Sequence, residues 1–295
     1  MRKTGFVAIV GMPNAGKSTL LNALIKEKIS IVSPKPQTTR DSILGVWTDD
    51  DSQIVFVDTP GALKSRNSLG DYMQRSIDTA TQGVDCILAV FDGHEPLNER
   101  EIALIEKYIA TKIPVVVVAT KIDITQTEKL MVELAKLNQI DGIKEVYCVS
   151  AKRNRNVEQL KQALKKYLTG SQMYFEEDDL TDKSQRFLVC ELIREKILLC
   201  CDKEIPHGVG IQLNKMAFEN DVWEIDANVI VEKASHKPII LGHNGAMIKE
   251  IGTNARLSAQ KLLGAPVHLS LWVKVKENWR NSAYMLNELG YTEKI

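Results

Sequence analysis

The chain carries no net charge: its 295 residues include 38 Lys and Arg against 38 Asp and Glu. Taken whole, it offers no electrostatic pull toward nucleic acid or an anionic membrane. It also lacks long apolar runs. The first begins at Gly5 and ends after six residues, no run approaches the ~20 residues of a membrane span, and no targeting pattern precedes it. A soluble cytoplasmic protein is expected. The five cysteines are odd in number and show no C-x-x-C spacing, which argues against a disulfide framework. Cys86, Cys148 and Cys190 stand in apolar segments and read as buried reduced thiols. Internal repeats are absent. What is present is ordinary: 44% hydrophobic and 26% charged residues exclude disordered and fibrous classes and leave room for two domains.

The first 170 residues alternate short apolar runs (GFVAIVG, QIVFVD, VDCILAVFD, PVVVVATKID, EVYCVSA) with helix-period stretches such as STLLNALIKEKI. That alternation predicts an α/β fold with a mostly parallel sheet covered on both faces. ILGVWTDDDSQIVFVD is different, because two strand-like runs flank an acidic turn and predict one antiparallel edge strand. After the helix NVEQLKQALKKYL, Gly170 serves as a stop, and residues 171–182 carry five acids and read as a solvated linker. Residues 183–295 follow a different order of helix, two strands, two short helices, strand and helix, an α+β pattern. The expected organisation is therefore 1–170, a linker at 171–182, and 183–295.

Gly11-Met12-Pro13-Asn14-Ala15-Gly16-Lys17-Ser18-Thr19 follows a strand and opens an apolar helix, the context that G-x-x-x-x-G-K-[ST] needs. The glycines let the backbone curl so that its N–H groups meet phosphate oxygens, and the helix N-terminus favours the anion. Lys17 is expected to bridge the β- and γ-phosphates and Ser18 to ligate Mg²⁺. The base is read elsewhere. Asp58-Thr59-Pro60-Gly61 ends a strand, which puts a carboxylate where it can hold Mg²⁺ through water and a Gly61 N–H where it can meet the γ-phosphate. Thr120-Lys121-Ile122-Asp123 ends another strand. There a carboxylate can accept the N1–H and 2-amino group of guanine, a donor pair that adenine lacks, with Lys121 lying along the base and the loop. Ser150-Ala151-Lys152 would offer a backbone N–H to the guanine oxygen. GTP or GDP is the nucleotide expected.

With Thr38-Thr39-Arg40-Asp41 between them, these motifs resemble the Era, EngA and MnmE branch of the translation-factor-like GTPases. The resemblance implies that Thr39, rather than Thr38, reaches Mg²⁺ and the γ-phosphate in the GTP state. One position departs from the pattern: the guanine motif begins with Thr120 where Asn is usual, which predicts weaker base affinity with selectivity kept by Asp123. Ala62 stands where many GTPases carry the Gln that orients water, so slow intrinsic hydrolysis is expected. In this branch the loop Asn helps hold a potassium ion in place of an arginine finger. Asn14 matches that position and implies K⁺ stimulation, with Lys17, Thr39 and Gly61 completing the catalytic set.

In the second half, Gly242-His243-Asn244-Gly245 lies between two short helices. This is the clamping loop of a KH domain, where small residues admit an RNA backbone. The surrounding order matches a type II KH domain, and with EIPHGVG at Glu204–Gly210 the similarity to the Era family extends over nearly the whole chain. From Lys237 to Arg280 there are seven basic and two acidic residues. Lys237, Lys249 and Arg256, with the loop itself, are the expected RNA contacts, and binding should be salt-dependent. His236, His243 and His268 fit no metal spacing and read as solvent or RNA contacts. Trp223, Trp272 and Trp279 read as core or shelf residues. The family resemblance implies binding at the 3′ end of 16S ribosomal RNA, a role in maturing the 30S subunit, and peripheral contact with the inner membrane; DNA is not implied. A second reading keeps the GTPase and makes the KH-like region a scaffold for a protein or membrane partner.

Overall fold

The computed structural model describes residues 2–62, 65, 67–201 and 208–291. They form two compact units. The first gathers the described residues of Met1–Ser30, Thr39–Lys64 and Met73–Asp182, and the second those of Ile31–Thr38, Ser65–Tyr72 and Lys183–Ile295.

The first unit is built on six strands: β1 (Lys3–Gly11), β2 (Ile43–Thr48), β3 (Ser52–Asp58), β4 (Cys86–Asp92), β5 (Val115–Thr120) and β6 (Ile143–Cys148). Their order is β2-β3-β1-β4-β5-β6. Every neighbouring pair is parallel except β2 with β3, the hairpin that the acidic turn predicted. β3 and β5 are buried at every position, as strands covered on both faces must be. The helices of this half are α1 (Lys17–Ile25), α2 (Ser68–Ala80), α3 (Glu99–Ile109), α4 (Thr127–Leu137) and α5 (Val157–Leu164). α3 starts at a capping box in which the Asn98 side chain accepts from the Glu101 N–H and Glu101 answers to the Asn98 N–H. Because β1 lies between β3 and β4, the chain leaves it in opposite directions, and a crevice opens at the carboxyl ends of these strands.

The expected linker is not a free connector. Residues 171–182 belong to the first unit and cover the edge of its sheet. The Leu180 carbonyl accepts the Val46 N–H at 2.9 Å, Asp182 Oδ1 accepts the Leu44 N–H at 3.1 Å, and Gly45 bridges to Thr181. An edge strand left with bare N–H groups invites unwanted pairing, and this segment satisfies them. Gln53 anchors the segment from inside. Wholly buried, its Oε1 accepts the Tyr174 and Phe175 N–H groups at 2.9 and 3.1 Å, and its Nε2 donates to the Phe175 carbonyl at 2.9 Å. The five acids hid this role, since the contacts are made mostly by backbone.

The second unit contains α6 (Gln185–Cys200), β7 (Val209–Glu219), β8 (Val222–Val231), α7 (His236–Leu241), α8 (Ala246–Leu263), β9 (Val267–Val275) and α9 (Ala283–Glu288). β7 runs antiparallel to β8, and β9 parallel to it. Ile251, Ala255 and Ala259 recur at one-turn spacing on α8 and join Val189, Ile193 and Ile197 of α6 in a core against Ile225, Ala227 and Val229. The segment 31–38 packs here too: the Arg194 guanidinium of α6 donates to the Thr38 carbonyl and to Glu191, and Glu195 accepts the Val32 N–H at 3.0 Å. Trp279 is wholly buried and donates to the Gly208 carbonyl at 2.9 Å. Of the core and shelf alternatives, Trp272 takes the shelf. It is 59% exposed, because strand alternation turns Leu271 and Val273 toward the helices and Trp272 away, where its indole N–H meets Asp226 at 2.8 Å.

All five cysteines are free thiols, two buried and three half-buried. Burial pushes Cys86 and Cys190 up to about 12, which keeps them inert at neutral pH. Of Glu204–Gly210, residues 204–207 lie outside the described part.

Replacing Gln53 with Ala strands buried backbone groups of the 173–175 turn. The expected loss is about 2–3 kcal/mol of stability, to be read from urea unfolding followed by near-ultraviolet circular dichroism.

Candidate nucleotide site and RNA-facing surface

The motifs fall at the ends of β1, β3 and β5 and just beyond β6, so one sheet edge carries all four. The loop after β1 turns through Asn14 and Gly16, both in left-handed conformation, into the N-terminus of α1. Lys17 is buried and donates from its Nζ to the Gly11 and Met12 carbonyls at 3.0 and 2.9 Å. Burial pushes its ammonium down to about 8, against the pull of Asp58. An anion in the loop would reverse that shift, which is what a phosphate cradle requires.

Ser18, Thr39 and Asp58 meet directly. Ser18 Oγ donates to Asp58 Oδ2 at 2.7 Å and lies 2.8 Å from Thr39 Oγ1. Thr38 points elsewhere, its hydroxyl donating to the Lys35 carbonyl at 2.6 Å, so the geometry favours Thr39 of the pair. The Asp58 carboxylate is wholly buried, and burial pushes it up despite Lys17 and two serine hydroxyls. Its Oδ1 is buried with no partner among the described residues. A hard, all-oxygen donor set with an unpartnered carboxylate oxygen fits Mg²⁺.

Gly61 is glycine for a steric reason: a Cβ there would come within 2.8 Å of the Pro13 Cα. Pro13 is the surface on which the Asp58-to-Gly61 turn rests. Ala62 donates its N–H to the Gly11 carbonyl at 3.2 Å. Thr59 turns away from the crevice, its buried hydroxyl donating to the Ile9 carbonyl at 2.8 Å. Pro60 is buried as well.

At the base-reading end, Asp123 is exposed and accepts from Ser150 Oγ at 2.6 Å. That bond, with smaller help from Arg153 and Lys152, holds its carboxyl below the usual range. Thr120 is buried. Its hydroxyl donates to the Ala15 carbonyl at 2.7 Å and lies 3.1 Å from the Phe91 carbonyl, tying the guanine motif to the phosphate loop. Lys121 departs from its expected course along the loop: its ammonium pairs with Asp92 at 2.5 Å. Sequence reasoning missed Asp92, which ends β4, and also Ser30 and Asn22 beside Asp58. The available signal was polar residues closing an apolar strand and interrupting an apolar helix.

In the second unit, α7 leads through Gly242, His243, Asn244 and Gly245 into α8. Gly242 has φ 71° and ψ 177°, and a Cβ on it would lie 2.7 Å from the Met247 nitrogen. Past the loop, a groove of about 320 Å³ runs between α8 and β9, lined by Ile248, Lys249, Gly252, Thr253, Arg256, Leu269 and Leu271. Lys249 and Arg256, seven apart, share the helix face that borders it. Lys237 is exposed on α7. The remaining charges do not continue one stripe. Lys274 points with Trp272 to the other face of the sheet, and Arg280 pairs with Glu232. The histidines separate likewise: His243 belongs to the loop, His236 is buried, and His268 pairs with Glu224 at 2.7 Å. Among the described residues no cluster of His, Cys, Asp and Glu suits a metal, and no helix is long and apolar enough to cross a membrane.

Fold and site together define a P-loop GTPase joined to a KH domain. The family described as 50S ribosome-binding GTPase matches residues 6–121, and the KH domain family matches residues 204–280. Over 297 residues the chain is 43% identical to GTPase Era of Clostridioides difficile strain 630, covering 100% of both chains. It is 42% identical to GTPase Era of Clostridium botulinum strain Kyoto, covering 99% of each. Two solved structures superpose at 35% identity, covering 99% of this chain and 100% of theirs. One is an Aquifex aeolicus Era variant bound to GDP·AlF4⁻, with a TM-score of 0.94. The other is Era with MgGDPNP and nucleotides 1506–1542 of 16S ribosomal RNA, with a TM-score of 0.95. The chain belongs to the Era family of GTPases. It is a GTP-hydrolysing enzyme.

Two substitutions separate binding strength from base choice. Thr120→Val removes the tie to Ala15 and should weaken GDP binding about tenfold, the worth of one or two buried hydrogen bonds, with guanine still preferred. Asp123→Asn should move the preference from guanine toward xanthine. Competition titrations of both variants with GDP, ADP and XDP make the comparison.

Proposed function

We propose that this protein is a GTP-driven switch whose KH unit takes single-stranded RNA, and that the RNA is the 16S segment bound by its structural neighbour, in the course of small-subunit assembly. The observation that carries the reading is the pairing of the Gly242-to-Gly245 loop with a groove bordered by Lys249 and Arg256. Small residues admit a backbone, two cations meet its phosphates, and Leu269 and Leu271 give the bases an apolar wall. Lys237 extends the basic approach to the loop.

In the nucleotide site, Lys17 is assigned to the β- and γ-phosphates, with the Gly11-to-Thr19 backbone as their cradle. Ser18, Thr39 and Asp58 are assigned to Mg²⁺, which when bound neutralises charge developing on the transferred phosphoryl group. Gly61 is assigned to the γ-phosphate, and Asp123, with the Ala151 N–H, to guanine. Ala62 supplies no amide to orient water, and Asn14, exposed at the loop's tip, is assigned to a K⁺ ion that compensates. Nucleotide state reaches the KH unit along the chain: Thr39 answers to the metal site, while the adjoining Thr38 carbonyl is held by Arg194.

Gly245 is the cleaner place to test the RNA site, since a Cβ there meets nothing within 4 Å, whereas Gly242 abuts Met247. Gly245→Asp should abolish binding of the 16S segment in filter assays while GTP turnover stays near that of the parent. Undiminished RNA affinity refutes the reading. Lys249→Ala should lower the slope of log affinity against log salt by about 0.7 for one lost phosphate contact. Turnover in K⁺ should exceed that in Na⁺ by about tenfold or more, the scale of a missing charge-stabilising group, and Asn14→Ala should remove the difference.

A further inference from the structure

Asp58 takes a second hydrogen bond that the GTPase motifs do not foresee. Ser30, only 1% exposed, donates from its Oγ to Asp58 Oδ2 at 3.1 Å, the same oxygen that receives Ser18. Ser30 is itself held from α1. Asn22 Oδ1 accepts the Ile29 and Ser30 N–H groups at 3.0 and 2.9 Å, and Asn22 Nδ2 donates to the Ser30 carbonyl at 2.7 Å. Asn22 stands four residues after Ser18, one turn further along the same helix face. The result is a closed polar circuit from Ser18 to Asp58 to Ser30 to Asn22 and back to α1, wrapped around a wholly buried carboxylate. With both hydroxyls committed to Oδ2, the carboxylate plane is fixed, and Oδ1 is left without a partner among the described residues.

We propose that Ser30 is a positioning residue for Mg²⁺: it holds the Asp58 carboxylate in the orientation in which Asp58 would serve the ion, and Asn22 sets Ser30 for that task. Mg²⁺ demands near-ideal octahedral geometry and gives up its waters reluctantly. A carboxylate that acts through one of those waters must therefore hold its angle, and the Ser30 bond adds to the restraint that Ser18 and the Thr59 N–H supply. Partners of metal-binding groups that lie one step further out tune affinity about 10- to 100-fold in other metal sites. The inference rests on the assignment of Mg²⁺ to Ser18 and Asp58 made above.

The test is release of a fluorescent GDP analogue from the full chain, measured across a Mg²⁺ titration and again in excess chelator. In the parent, Mg²⁺ should slow release. Ser30→Ala should raise the Mg²⁺ concentration for half-maximal slowing about tenfold, the worth of one hydrogen bond to a charged group, and leave the chelator rate unchanged. Ser30→Cys, which fills the same space with a poor donor, should behave as Ser30→Ala and carries the comparison if the alanine variant fails to fold. Unaltered Mg²⁺ dependence, or an equal change with and without the metal, overturns the role of Ser30. A parent whose release ignores Mg²⁺ overturns the metal assignment instead.

Discussion

A carboxylate and an ammonium buried at the same sheet edge set the terms for the rest of the molecule. Asp58 and Lys17 are both shifted by burial toward their neutral forms, which means that the fold holds them where neither is well solvated. Burying such groups costs several kcal/mol each unless partners compensate. The strands that bring them there are hydrophobic throughout, and their burial supplies the stability that tolerates the site. Under the assignment proposed above, a phosphate chain and a divalent cation would complete the missing charges.

The RNA-facing surface follows a different logic. Nothing there is buried at cost: the loop and the basic residues beside it are mostly exposed, and the groove offers two cations and an apolar wall rather than a cage. Zero net charge argues against indiscriminate binding to any polyanion. The local excess from Lys237 to Arg280 is divided by the sheet, with Lys249 and Arg256 on the groove side and Lys274 opposite. Binding should therefore depend on shape and on a small number of phosphates.

The fold was largely readable because its strongest determinants are local. Five apolar runs at βα spacing define a parallel sheet, and the acidic turn between Thr48 and Ser52 marks the hairpin that adds the sixth strand. The site was readable at the positions where chemistry dictates residue type, namely Lys17, Ser18, Asp58 and Asp123. Pattern failed where a residue acts through tertiary contacts. The segment 171–182 looked like a solvated linker because its side chains are acidic, yet its backbone pairs with β2. Thr120 was read for the base alone, and its second tie, from its hydroxyl to the phosphate loop, carried no sequence signal. His236 was assigned the wrong environment, since a short helix's inner side is fixed only by what packs on it. Ser30 carried no signal beyond being a serine after a helix.

A ligand moves a conformational equilibrium only by as much as it binds two states differently. In the nucleotide site Lys17 and Ser18 belong to α1 and Asp58 to β3, regular elements packed in the first unit. Thr39 is the exception. It stands at the end of a segment that leaves the first unit after Ser30 and is grouped with the second through Thr38. Its hydroxyl rests on Ser18, a contact that would have to give way to a metal ion, while one residue earlier the chain is held by a buried arginine already paired with Glu191. Such an arginine is costly to leave unpaired. A shift of Thr39 would therefore strain the neighbouring peptide at the bond between Arg194 and the Thr38 carbonyl.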